Sequence, residues 1–276
     1  MTVKAPHITS DWKKAALFCL LFLLPLSSLA CKSAQRRPDE SEYSFAARTK
    51  FEEAQNSLEG GYYTEAVKQF NEVKTQFPFS KYAILAELKI ADAYFEQDDF
   101  IQAIDSYRQF IKLHPNHEEV PYAMYRVGLA FHEQAPRDWF LFPPASENDQ
   151  TSTRSSVIAF KEYLARFPND KNAKDAEEKI KAALKMLAES ELNIAEFYAK
   201  RDHHKAAIGR LETLRREYPE FQDYGDAMLL LAELYIKTGE TAEAKKLLSE
   251  LISSQTDKSV VSKAEKMKNK LSQKGG

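Results

Sequence analysis

Apolar positions recur every three or four residues along most of this chain, the spacing of one-sided helices, and no run alternates apolar with polar as a strand would. Within that pattern a smaller motif repeats. Ala103, Tyr107 and Pro115 stand four and then eight residues apart in FIQAIDSYRQFIKLHP (residues 100–115), and the same spacing relates Ala66, Phe70 and Pro78. It returns with Ser156, Phe160 and Pro168, and with Ala207, Leu211 and Pro219. Upstream lie matching groups, twelve residues before Ala103 and Ala207 and 28 before Ser156: Ile90, Ala91 and Tyr94; Ile194, Ala195 and Tyr198; and Val127, Gly128 and Phe131. A fifth copy, Leu231, Ala232, Tyr235, Ala244 and Leu248, lacks only the proline.

Each copy therefore predicts two helices. Small residues in both let the backbones approach, and the aromatic fills the groove between this pair and the next. Proline closes the unit, because it has no N–H to continue a helix and disfavours helical geometry before it. A hairpin of this kind buries its apolar side only against another, so the chain is predicted to be all-α, a TPR-type α-solenoid of five helix hairpins. Equivalent positions 66, 103, 156, 207 and 244 are 37, 53, 51 and 37 residues apart, so two steps carry insertions.

The predicted helices run near 44–59 and 63–77, turning at Gly60 and Gly61, then through a second hairpin at 81–113 with its turn at Asp98 and Asp99. The third unit spans 118–170, and PRDWFLFPPASENDQTST interrupts it between residue 135 and a restart near Arg154. Trp139, Phe140, Leu141 and Phe142 in that loop are expected to fold back over the solenoid, with contact to a partner or membrane surface as the alternative. Residues 172–200 keep helical spacing without a breaker and predict a long helix opening the fourth unit, whose extra turns account for the 51-residue step. The fifth unit spans about 223–253, and residues 256–276 are expected to be a tail that frays at its end.

At the start, Lys13 and Lys14 precede an apolar run of twelve residues, 15–26, too short for a bilayer needing about 20. With Ser27, Ser28, Leu29, Ala30 and Cys31 following, residues 1–30 have the layout of a secretory signal peptide. Ordinary cleavage after Ala30 would leave Cys31 as a lone thiol, because Cys19 departs with the signal. Cys31 is instead expected to take a lipid, although Ser28 stands where the lipoprotein pattern has leucine. Residues 31–42, a lipid anchor followed by KSAQRRPDESE, are then a tether from the membrane.

Composition agrees with helices: 8 glycines in 276 residues, 43% hydrophobic and 29% charged. A formal charge of −2 without a basic stripe argues against nucleic-acid binding. There is no glycine-rich phosphate loop, no serine elbow and no paired-cysteine metal site, and His132-Glu133 lacks the second histidine of a zincin helix. His114 and His117 fall in a turn, and His203 and His204 in a connection between helices. No catalysis, cofactor or metal is expected; stacked hairpins offer a groove for an extended peptide or a partner helix.

Several linking strings resemble one family. They are FPFSKYAILAELKIADAYF (77–95), DDFIQAIDSYRQFIKLHPNHEEVPYAMYRVGLA (98–130), RFPNDKNAKDAEEKI (166–180) and LAESELNIAEFYAKRDHHKAAIGRLETLRREYP (187–219), together with the signal ending at Cys31. The chain is similar over about residues 40–220 to the BamD family, TPR lipoproteins of the bacterial outer-membrane β-barrel assembly (BAM) machinery. The resemblance implies a palmitate-bearing, periplasm-facing outer-membrane lipoprotein. Its partners would be unfolded outer-membrane β-barrel precursors at the N-terminal hairpins (43–117), and BamA periplasmic domains with other BAM lipoproteins at the C-terminal region (171–255). The family's A-x-x-x-R segment falls on Ala206 to Arg210, which implies that Arg210 contacts BamA, and Arg210→Glu is expected to weaken that contact at nearly unchanged stability. The Trp139 to Phe142 loop has no counterpart in the resemblance. A pilotin-like lipoprotein or a regulator of cell-wall enzymes is the alternative for a periplasmic TPR protein.

Overall fold

A computed structural model describes residues 40–136, 145–255 and 257–274. The signal segment, Cys31 and Trp139 to Phe142 lie outside the described residues. Two compact units divide the chain, residues 1–45 and residues 46–276, and the repeat array belongs to the second.

Among the described residues there are eleven α-helices and no strand: α1 (Glu40–Glu59), α2 (Tyr63–Gln76), α3 (Lys81–Glu96), α4 (Phe100–Leu113), α5 (Val120–Gln134), α6 (Thr151–Arg166), α7 (Ala173–Ala199), α8 (His204–Glu217), α9 (Tyr224–Thr238), α10 (Thr241–Ser254) and α11 (Lys258–Lys274). From α2 onward each helix packs on the next in sequence, and beyond these neighbours α5 touches α7 and α9 touches α11. The apolar interior is accordingly divided into separate clusters along the array.

The repeated small and large residues are the interior of the hairpins. Ala66, Phe70, Ala103, Tyr107, Phe160, Ala207, Leu211, Ala244 and Leu248 are fully buried, and so are Ala91, Ala195 and Ala232 of the preceding helices. Ala54, twelve residues before Ala66, is buried in the same way and completes the first unit. A β-carbon on Gly128 would stand 2.5 Å from the Phe160 ring, so glycine is needed there for α6 to close on α5. Phe160 thus seats against α5 of its own hairpin and also shares a cluster with Ala176 and Ile180 of α7 in the next. Tyr107 also reaches the hairpin after its own, meeting Tyr122 of α5 edge-on at 6.5 Å.

Four of the five hairpins turn on a residue in the left-handed region, five positions before the small residue: Gly61 (φ 78), Asp98 (φ 62), Asp202 (φ 61) and Gly239 (φ 86). The second turn then caps α4, where the Asp99 carboxylate accepts from the Gln102 amide at 3.3 Å. In the third hairpin the insertion replaces that turn. Its described end forms a short 3-10 segment, Ala145–Glu147, against α7. There Asn193 donates to the buried Ser146 hydroxyl at 2.9 Å.

Two expectations are corrected. The expected bounds 31–42 for a tether do not hold at their end, because α1 begins at Glu40. Residues 256–276 are not a tail: α11 occupies most of them, with Val260, Ala264 and Leu271 buried. These residues, with Met267, fall four, three and four apart, one helical face packed on the fifth hairpin. Gly225 of α9 admits α11 closely, since a β-carbon there would lie 2.9 Å from Val260.

Candidate partner-binding surface

α8 carries its apolar residues Ala207, Leu211 and Leu214 inward and leaves Arg210 at the edge of the buried face. Arg210 Nη1 donates to Glu191 Oε2 at 3.2 Å, and Arg154 Nη2 of α6 donates to the other oxygen, Oε1, at 3.1 Å. Glu191, on α7, is only 2% exposed at its side chain, whereas the two arginines are 44% and 45% exposed. Charge-assisted hydrogen bonds from both sides offset the cost of burying that carboxylate. One negative charge between two positive ones leaves a net cation at the surface, with guanidinium N–H groups to spare.

Arg210 is therefore not a freely solvated arginine, and the expectation for Arg210→Glu changes. A second carboxylate beside the buried Glu191 repels it, so stability falls by about 2 kcal/mol instead of staying level. Glu191 and Arg154 were invisible to helical periodicity: the pairs join residues 37 and 19 positions apart.

A second buried polar node binds α3, α4 and α5. The Asp92 carboxylate, 5% exposed, accepts from Tyr107 Oη at 2.6 Å, Tyr122 Oη at 2.9 Å and Lys89 Nζ at 2.8 Å. Arg126 donates to the Tyr107 oxygen at 3.0 Å and to Glu96 at 2.9 Å, with its guanidinium 3.7 Å from the centre of the Phe95 ring. The same device, a tyrosine hydroxyl on a carboxylate, recurs along the array. Tyr125 donates to Asp175 at 2.6 Å, Tyr235 to Glu212 at 2.5 Å, and Tyr163 to Asp170.

These hydroxyls titrate high, for two causes. Burial is the larger for Tyr107, Tyr122, Tyr125, Tyr163 and Tyr235, and the adjacent carboxylates add to it. Unfolded tyrosine ionises near pH 10. A group whose folded value is raised contributes stability that is complete below the unfolded value and lost as pH rises toward the folded one. The thermal midpoint, followed by circular dichroism, is thus expected to hold through pH 8–9 and fall from about pH 10 upward. Tyr125→Phe is expected to flatten that decline; a midpoint level to pH 11 in the parent protein would contradict it.

Burial raises Asp170, but the Tyr163 hydroxyl and the Asn172 and Lys171 amides outweigh it and hold this carboxyl below its ordinary value. That contribution has the opposite sign, being lost as pH falls through the acid range.

Between α7 and α9 lies a groove of about 470 Å³, with Leu192, Ala199, Ala227 and Leu230 among its lining residues. His203 and His204 stand at the start of α8 beside an open depression with Tyr198 and Thr238. His114 of the turn after α4 pairs with Glu87 of α3 at 2.9 Å. Among the described residues no cluster of three or more His, Cys, Asp or Glu is arranged to hold a metal ion, and no helix is long and apolar enough to cross a membrane.

Stacked hairpins joined by buried polar nodes, with a cationic patch at their surface, define a helical-repeat scaffold of the TPR type. The chain belongs to the YfiO family of outer membrane lipoproteins, whose model matches residues 45–251. It is 29% identical over 235 residues to the outer membrane protein assembly factor BamD of Neisseria meningitidis, covering 82% of this chain and 86% of that one. The protein of the same name from Vibrio cholerae is 29% identical, covering 69% and 80%, and that from Rickettsia prowazekii 29%, covering 87% and 91%. Among solved structures, the TPR2AB domain of yeast Sti1 aligns over 83% of this chain and 99% of its own at 14% identity and a TM-score of 0.38, too low to support further comparison.

Proposed function

We propose that this protein is a non-catalytic assembly factor for outer membrane proteins. It works as a scaffold whose N-terminal hairpins receive unfolded β-barrel precursors, while its C-terminal hairpins hold the periplasmic domains of BamA and other lipoproteins of that machinery. A lipid on Cys31 keeps it at the outer membrane, facing the periplasm. The observation that carries this reading is the family match across residues 45–251, with relatives that bear the assembly-factor name over most of their length. The cationic patch at Arg210 supports the placing of BamA, since guanidinium groups with spare donors suit a carboxylate on a partner.

Two experiments test it. Arg210→Ala is expected to weaken capture of BamA's periplasmic domains by about tenfold, with the thermal midpoint nearly unchanged because Arg154 still satisfies Glu191. Capture at the parent level removes Arg210 from the interface. Cys31→Ala is expected to give a folded protein that moves from the membrane to the soluble fraction. A variant that stays in membranes stripped of partner proteins rules out the lipid anchor.

A further inference from the structure

Charge is unevenly placed on this molecule. Between residues 258 and 273 of α11 there are five lysines and one glutamate, a formal +4 in a chain that totals −2. Lys263, Lys266 and Lys270 are all exposed and stand three and four apart, so, contrary to the expectation of no basic stripe, they form one about 10 Å long at 1.5 Å per residue. Lys263 Nζ already holds a carboxylate, that of Asp226 on α9, at 2.9 Å. Among the described residues no acidic partner stands on Lys266 or Lys270.

We propose that this stripe seats an acidic polypeptide segment of a partner protein, whose carboxylates stand on Lys266 and Lys270 as Asp226 stands on Lys263. The spacing favours a helix with acidic residues three or four apart, the complement of the stripe itself. A lipid surface fits less well. The apolar side of α11, Val260, Ala264, Met267 and Leu271, is spent on the protein's own core, and no apolar face is left to enter a bilayer interface. The stripe lies on α11, apart from Arg210 on α8, and the inference does not depend on what Arg210 contacts.

The test uses the full chain and a fluorescently labelled helical peptide with glutamates three and four apart, followed by anisotropy. Binding is expected to fade as ionic strength rises from about 0.05 M to about 0.5 M, and to weaken about tenfold in the Lys266→Glu/Lys270→Glu double variant. A control double variant, Lys245→Glu/Lys246→Glu, reverses two exposed lysines on α10 and should bind like the parent. Both double variants should melt as the parent does. Equal losses in the two would show that net charge alone acts, and would overturn the proposal. So would an absence of peptide binding, stripe-dependent binding to phosphatidylglycerol vesicles in place of the peptide, or stripe-dependent self-association of the chain.

Discussion

Phe160→Ala is expected to cost about 3–5 kcal/mol, the usual range for emptying a buried aromatic site, and to change the meaning of a second substitution across the hairpin. Gly128→Ala alone sets two effects against each other. Alanine is the better helix former by about 1 kcal/mol, but its β-carbon would meet the fully buried Phe160 ring at 2.5 Å with nowhere for the ring to go. Overpacking of that kind costs roughly 1–3 kcal/mol and wins. With Phe160 already shortened to alanine the clash is gone, so Gly128→Ala becomes neutral or stabilising by up to about 1 kcal/mol. A double-mutant cycle by denaturant unfolding should therefore show strong coupling between the two sites. Additive effects would mean that the small residue is not there to admit the ring.

Removing residues 255–276 is expected to have an effect of similar size, localised to the end of the array. Val260 and Leu271 are worth roughly 1.5–3 kcal/mol each when buried, with smaller parts from Ala264 and Met267, so the loss is about 4–6 kcal/mol. It falls on α9 and α10, which α11 covers directly, while α3 to α5 lie in another cluster. Hydrogen exchange should show faster exchange in α9 and α10 and unchanged protection in α3 to α5. Protection kept throughout would show that α11 is dispensable to the fold.

The hairpins were legible because their two helices repeat short-range spacing: a small residue, a large one four further on, and a proline at the close. The left-handed turn residue also keeps a fixed place, five before the small one, and glycine or aspartate there agrees with the backbone it must adopt. What could not be read was of two kinds. Lysine and serine dominate residues 258–274, so four apolar residues at helical spacing were masked by the composition around them. Glu191 and Asp92 look like any acidic residue on a solvated helix, since their partners, Lys89 apart, come from other helices and leave no periodic trace. Arg210 was picked out only by resemblance, and its tie to Glu191 needed coordinates.

Because helices from α2 onward meet mainly their neighbours in sequence, no part of the array waits for a distant segment before it can close. A chain built this way can fold in chain order, each new pair of helices settling on the one before. Outside the insertion in the third hairpin, short loops to close and early burial of each apolar side leave little time for an exposed intermediate to meet a protease or another unfolded chain.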